Sequence, residues 1–237
     1  MRLQTSIALA ASTAILLAAS TSASAANLIA NGDFASGALT PWTLTGTAGD
    51  GQNTVVINLT SGASYPGGAF NEVIPTDPNA PTSAYGLYFV TDVPLGAGAA
   101  QTFTVTKAGT YKVSFDYYVP NNGLANPDDA DLSASVNAST FANLDAKSLG
   151  NDGGAWRTVS TTEVLGVGSN SFNFGFTVPG NVTAGQETSD TYAADFVVSN
   201  ISVAGVPEPA TWAMMLVGFG GLGAAMRSRR KPAVVTA

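Results

Sequence analysis

Tyr111-Lys112-Val113-Ser114-Phe115-Asp116-Tyr117-Tyr118-Val119 decides the fold class. Tyr111, Val113, Phe115, Tyr117 and Val119 share one face at period two, and Lys112, Ser114 and Asp116 take the other. Successive strand side chains point to opposite faces, so this stretch reads as a strand with one face buried. Phe172, Phe174, Phe176 and Val178 alternate in the same way with Asn173, Gly175 and Thr177. Phe103 and Val105 alternate with Thr102, Thr104 and Thr106. Further strands are expected at Val55–Leu59, Tyr85–Thr91, Leu132–Asn137, Trp156–Thr162 and Phe196–Val203. Turn clusters punctuate them: Tyr65-Pro66-Gly67-Gly68, Asn121-Asn122-Gly123, Asn151-Asp152-Gly153-Gly154 and Pro179-Gly180-Asn181. There is no helical period and no internal repeat. About eight to ten short strands of this kind predict an all-β fold, an antiparallel β-sandwich or jelly roll.

Charge and composition then exclude whole classes of chemistry. The 237 residues contain no Cys and no His. That removes thiol nucleophiles, disulfides, Cys or His zinc sites and any Ser-His-Asp triad. Carboxylate chemistry, a Ser-Lys pair and oxygen-ligated calcium survive. Between residues 26 and 205, Lys107, Lys112, Lys147 and Arg157 face fifteen acids, a balance of −11. Such a segment repels phosphate backbones, so no nucleic-acid partner is expected. The other cations, Arg2 and the group Arg227, Arg229, Arg230 and Lys231, each sit beside an apolar run.

The two ends read as addresses. Residues 1–25 have a positive start at Arg2, an apolar stretch from Ile7 to Ala19, and small residues at Ala23-Ser24-Ala25. This is the pattern of a secretory signal peptide, cut between Ala25 and Ala26 by signal peptidase after passage through the general secretion machinery. At the other end, two prolines in Val206-Pro207-Glu208-Pro209 break the chain and close the preceding domain. Thr211 to Met226 is roughly 16 residues, about 24 Å of helix at 1.5 Å per residue. That is short for a hydrocarbon core of about 30 Å, so the helix sits tilted or in a thinned bilayer. Trp212 is an interface aromatic, and the following arginines predict a cytoplasmic C-terminus.

Pro-Glu-Pro at 207–209, Trp212-Ala213, Gly218-Phe219-Gly220 and the Arg227, Arg229 and Arg230 cluster occur in that order. In this the segment 206–231 resembles the PEP-CTERM sorting tail in its PEPxxWA form, with 232–237 as an extension. The resemblance implies a bacterial exported protein, anchored in the inner membrane as a precursor by a single hydrophobic helix. It also implies processing by an exosortase, with delivery to the cell surface, the extracellular matrix or the medium.

The segment 26–205 carries a second resemblance at its ends. It opens with Asn27-Leu28-Ile29-Ala30-Asn31-Gly32-Asp33-Phe34, followed by Trp42, and closes with Asp195-Phe196-Val197-Val198-Ser199-Asn200-Ile201-Ser202-Val203. This is similar to galactose-binding-like jelly rolls, among them carbohydrate-binding modules, in which the first and last strands are neighbours. The resemblance implies a structural calcium site at Asp33 and Asp195. Position 35, an acid in that pattern, is Ala35 here. Pro127-Asp128-Asp129-Ala130-Asp131 lacks the glycine and terminal glutamate of an EF-hand loop and reads as a solvated acidic loop.

Sugar recognition needs a ring beside amide or carboxylate partners. Trp42, Trp156, Tyr117, Tyr118 and Tyr192 are the rings available. Tyr118 falls on the polar side of its strand beside Asp116, so Tyr118, Asp116 and Trp156 are the candidate ligand-binding residues. Glycoside hydrolysis by two acids needs a set spacing that sequence does not display. Asp116 and Glu163 lie on strands, no motif marks a nucleophile, and no catalytic residue is assigned. The expectation is a non-catalytic envelope or matrix protein whose sandwich binds carbohydrate, plausibly exopolysaccharide. The alternatives are a structural or adhesive surface protein and, third, an extracellular hydrolase.

Overall fold

The alternating stretches become strands of two stacked antiparallel sheets. The computed structural model describes residues 25–46, 54–63, 68, 72–91, 96–120, 131–149, 154–177, 194–206, 215, 218–223 and 226–227. In chain order the strands are β1 (Thr43–Gly46), β2 (Val55–Asn58), β3 (Tyr85–Thr91), β4 (Gly96–Val105), β5 (Gly109–Tyr118) and β6 (Asp131–Val136). They continue with β7 (Ser139–Asp145), β8 (Arg157–Leu165), β9 (Gly168–Thr177) and β10 (Ala194–Gly205). One short helix, α1 (Ala146–Leu149), follows β7. The first sheet runs β1-β4-β9-β6-β7 and the second β2-β3-β10-β5-β8.

The inward rows meet in one aromatic core. Phe174 lies 5.1 Å from Phe115 and 5.0 Å from Phe172, centroid to centroid, and 5.8 Å from Phe89. Trp42 joins them at 6.1 Å from Phe174 and 5.9 Å from Phe34. Edge and tilted ring pairs of this kind add about 0.5–1.5 kcal/mol each beyond their buried area. Trp42 and Phe34 are therefore core residues, and the opening motif they belong to is structural.

The opening residues lie against the end of β10, as the resemblance implies, but as turns rather than a strand. Leu28 N donates to Val203 O, Ile201 N donates to Gly32 O, and Asn27 bonds both Val203 N and Ile201 O. Gln101 on β4 fastens the other side, accepting from Ala30 N and donating to Ala30 O, each at 2.8 Å.

β10 breaks simple alternation. Its pairing with β5 shifts between Ser199 and Ser202, with Asn200 at φ 49°. This bulge inserts one residue and reverses the inward parity. Phe196 and Val198 face the core before it, and Ile201 and Val203 after it. β1 and β7 were not expected from the sequence, nor was the first half of β4. β1 is exposed throughout, and β4 begins Gly-Ala-Gly-Ala-Ala, so neither offers a hydrophobic rhythm.

Beyond the sandwich, the described residues 215, 218–223, 226 and 227 are helical, and Phe219, Leu222 and Met226 are exposed. Among the described residues no helix is long and apolar enough to cross a membrane. Residues 1–24, Pro207, Glu208, Pro209, Trp212, Ala213, Arg229 and Arg230 lie outside the described residues, as do Asp128, Asp129 and Tyr192.

Candidate functional site

The outer faces of the two sheets differ, and the difference defines two candidate sites. On the second sheet the outer positions are Ile57, Tyr88, Val90, Val197 and Tyr118, a separate apolar cluster with Leu59 and Ile74. The described residues 72–80 cross this face as a roof. Ile74 N donates to Leu59 O, Trp156 Nε1 donates to Pro75 O at 2.6 Å, and Tyr118 OH donates to Glu72 at 3.3 Å. Burial and the Glu72 carboxylate push the Tyr118 hydroxyl up to about 12.

The structure brings Tyr118, Asp116 and Trp156 together. The Tyr118 and Trp156 rings are 5.5 Å apart, and Asp116 lies two residues from Tyr118 on the same face. The roof, however, buries Tyr118 to 2% and Asp116 to 0% exposure. Tyr118 and Asp116 are thus covered, and the half-buried Trp156 is tied to the roof through Pro75.

Beneath the roof is a polar cluster that sequence reasoning did not assemble. Asp116 Oδ2 accepts from Asn79 Nδ2 at 3.0 Å and Asn200 Nδ2 at 2.8 Å, and Asp116 Oδ1 accepts from Thr158 Oγ1. Asp77, from the roof, accepts from the Asn79 amide at 2.9 Å. Its carboxyl is pushed up to about 6, first by burial and then by the charge of Asp116, against the pull of the Asn79 amide.

The expected calcium pair does not assemble. Asp33 lies beside Gly32, whose carbonyl bonds Ile201, while Asp195 is paired with Val90. Six residues of β10 separate the two places, about 20 Å at 3.3 Å per residue. Asp33 closes a local turn with Ala35 N at 3.2 Å, and Asp195 accepts from the Tyr88 hydroxyl. These residues do not fit one metal ion, and no group of three or more acids that could hold one occurs among the described residues.

The first sheet presents the other candidate, an outer face that the described residues leave open. Cross-strand register places Thr45, Gly98, Gly175, Ser133 and Asn143 in one row. Thr43, Ala100, Asn173, Ser135 and Thr140 form the next. Gly98 and Gly175 stand side by side in the middle, Gly98 buried with the Thr45 hydroxyl 2.5 Å from where its Cβ would lie, and Gly175 half-buried. A Cβ on Gly98 would meet Phe174 O at 2.4 Å, so that position requires glycine. On Gly175 the nearest atom is the Ser133 hydroxyl at 2.8 Å, which can turn away. None of the five strands carries a Lys or Arg. Asp131 and Asp145 face each other at one end, and burial followed by the Asp145 charge raises the Asp131 carboxyl. No aromatic side chain takes an outward position on these strands among the described residues, since Phe141 packs on Phe115 and Phe172.

Known structures share this architecture. TmCBM61, solved in complex with β-1,4-galactotriose, superposes with a TM-score of 0.50 at 13% identity, covering 76% of this chain and 99% of that one. The enzymatically active domain of tailspike protein 4 from bacteriophage CBA120 gives 0.48 at 12% identity, over 76% of this chain and 21% of that one. The CBM22-2 xylan-binding domain of Xyn10C from Paenibacillus barcinonensis gives 0.39 at 13% identity, over 74% and 98%. No curated protein matches the chain. The likeness to TmCBM61 is one of fold alone, a jelly-roll β-sandwich. Residues 205–231 match the PEP-CTERM protein-sorting motif, so the chain carries that motif directly after β10.

Proposed function

We propose that this is an exported surface protein whose sandwich binds a neutral polysaccharide along the open face of the β1-β4-β9-β6-β7 sheet. The sorting motif supports export and exosortase processing. The open face carries the binding reading. At Gly175 the face carries no side chain and a sugar ring can come close to the backbone, and the flanking Thr, Ser and Asn groups offer donors and acceptors to hydroxyls. The missing cations disfavour an anionic glycan. Galactan-type and xylan-type chains, and the exopolysaccharide of the producing cells, are the substrates to try.

The test is calorimetric titration of the full chain in detergent with each polysaccharide. Gly175→Leu places a side chain on this face while displacing only the Ser133 hydroxyl. Saturable binding that this variant abolishes supports the reading. Equal binding by wild type and variant removes the open face from it.

A second reading rests on the lack of an outward ring on that face. Stacking is a main source of sugar affinity, and a ringless polar sheet also suits a spacer or self-associating surface domain. Concentration-dependent association without glycan binding would favour it.

A further inference from the structure

We propose that β8 pairs antiparallel with the β8 of a second copy of this chain, joining two five-stranded sheets into one continuous sheet. The contact lies on the sheet opposite the glycan face. It goes beyond both functional readings by naming the strand and the register that a second copy takes.

The four strands that end the two sheets are β1, β7, β2 and β8. β1 and β2 are four residues long. β7 has seven, and its pairing with β6 shifts between Ala134 and Ser135. Short or bulged strands make poor templates for another chain. β8 differs from all three. It runs nine residues in unbroken register with β5, from Arg157 opposite Tyr117 to Leu165 opposite Gly109, and contains no Pro, Gly or Lys. Among the described residues no strand pairs with its other edge. A strand edge of this length offers a row of backbone donors and acceptors to a partner strand.

Charge selects the partner. Arg157, Val159, Thr161 and Glu163 lie opposite Tyr117, Phe115, Val113 and Tyr111, all core residues, so these four take the inward face. Thr158, Ser160 and Thr162 are exposed on the other. Inward charges deter indiscriminate pairing at a sheet edge. Here the two charges answer each other. In a two-fold antiparallel pair, residues equally far from the axis on either side meet across the contact. With Ser160 on the axis, Arg157 of each copy lies opposite Glu163 of the other. Thr158 then meets Thr162, and Val159 meets Thr161. Opposite charges and hydroxyl pairs directly across a ladder are stabilising. An axis at Val159 sets Arg157 against Thr161 and Glu163 against Ala155. An axis at Thr161 sets Arg157 against Leu165 and Glu163 against Val159. Of these three registers, the one centred on Ser160 satisfies both charges. The strand is also neutral, one cation and one acid, within a segment of −11 that otherwise repels its own copies.

The experiment is sedimentation equilibrium of the full chain in density-matched detergent, over a range of protein concentrations. A monomer–dimer equilibrium is expected. Arg157→Glu and Glu163→Arg should each raise the dissociation constant about tenfold, because both charge contacts turn from attraction to repulsion. The double variant carrying both changes should return to within about threefold of wild type. A second measurement leaves the charges alone. Ser160→Cys puts a thiol on the axis, where directly opposite Cα atoms are about 4.5–5.5 Å apart, within disulfide reach. Oxidised glutathione should link two copies of this variant. Thr162→Cys stands opposite position 158, about 13 Å from its own counterpart at 3.3 Å per residue, and should not link. A monomer at every concentration, the result if another segment of the same chain covers the edge, would overturn the proposal. So would association that survives both single reversals, as contact through the sorting tail does, or linkage at 162 rather than 160.

Discussion

Replacing Gln101 with Met should loosen the opening segment from the sandwich and cost about 2 kcal/mol, at about 1 kcal/mol for each intramolecular hydrogen bond lost. The Gln101 side chain is 4% exposed and exchanges two 2.8 Å hydrogen bonds with the backbone of Ala30. Methionine keeps the length and volume but offers neither partner, so the Ala30 N–H and C=O both lose their bonds. Their partial contact with water keeps the cost near the net value rather than the larger desolvation penalty. For a domain of this size, that loss lowers the unfolding midpoint by about 4–8 °C. Urea and thermal denaturation followed by far-ultraviolet circular dichroism measure it. The m-value should not change, because the same surface is exposed on unfolding. A loss below about 0.5 kcal/mol would refute the idea that Gln101 anchors the first segment.

Other consequences are open to the same assays. Phe174→Ala removes the ring that touches Trp42, Phe89, Phe115 and Phe172, and should cost about 3–5 kcal/mol by denaturation. Asp77 should make stability fall with rising pH. Its folded carboxyl is raised from 3.8 to about 6, so its contribution is full below 3.8 and lost as pH climbs through 6. The difference between wild type and Asp77→Asn across that window isolates the effect, and an opposite slope would contradict the burial argument. Deleting residues 207–231 should stop membrane retention of the precursor, read by fractionating cells and medium. A truncated chain that still sediments with the membrane would argue against sorting through this tail.

The strands that could be read in the sequence are those with one wet and one dry face. β5 and β9 alternate cleanly because each lies mid-sheet with an aromatic row on the core. β10 is harder to read, since the Asn200 bulge reverses its parity midway, and β1 and early β4 lack large side chains altogether. The pairing of opening and closing segments was legible from their motifs, but where two acids fall along a 12-residue strand was not. Asp33 meets one end of β10 and Asp195 occupies the other. Alternation along β5 puts Tyr118 and Asp116 on one face, while nothing in the sequence places Trp156 beside them. Their burial was hidden because the roof is irregular chain, with Ile74 its most deeply buried apolar residue among those described and no period to announce it. The buried cluster around Asp116 joins the roof, β5, β8 and β10, a meeting that only the folded register creates.

The open face is tested most directly through the chain's lack of cysteine. Asn173→Cys places a unique thiol in the middle of that face, and Thr162→Cys places one on exposed β8 of the other sheet. Each carries an environment-sensitive fluorophore, and polysaccharide is titrated in. The account predicts a saturable emission change at position 173 and none at 162. A response at 162 alone, or at neither site, would contradict it.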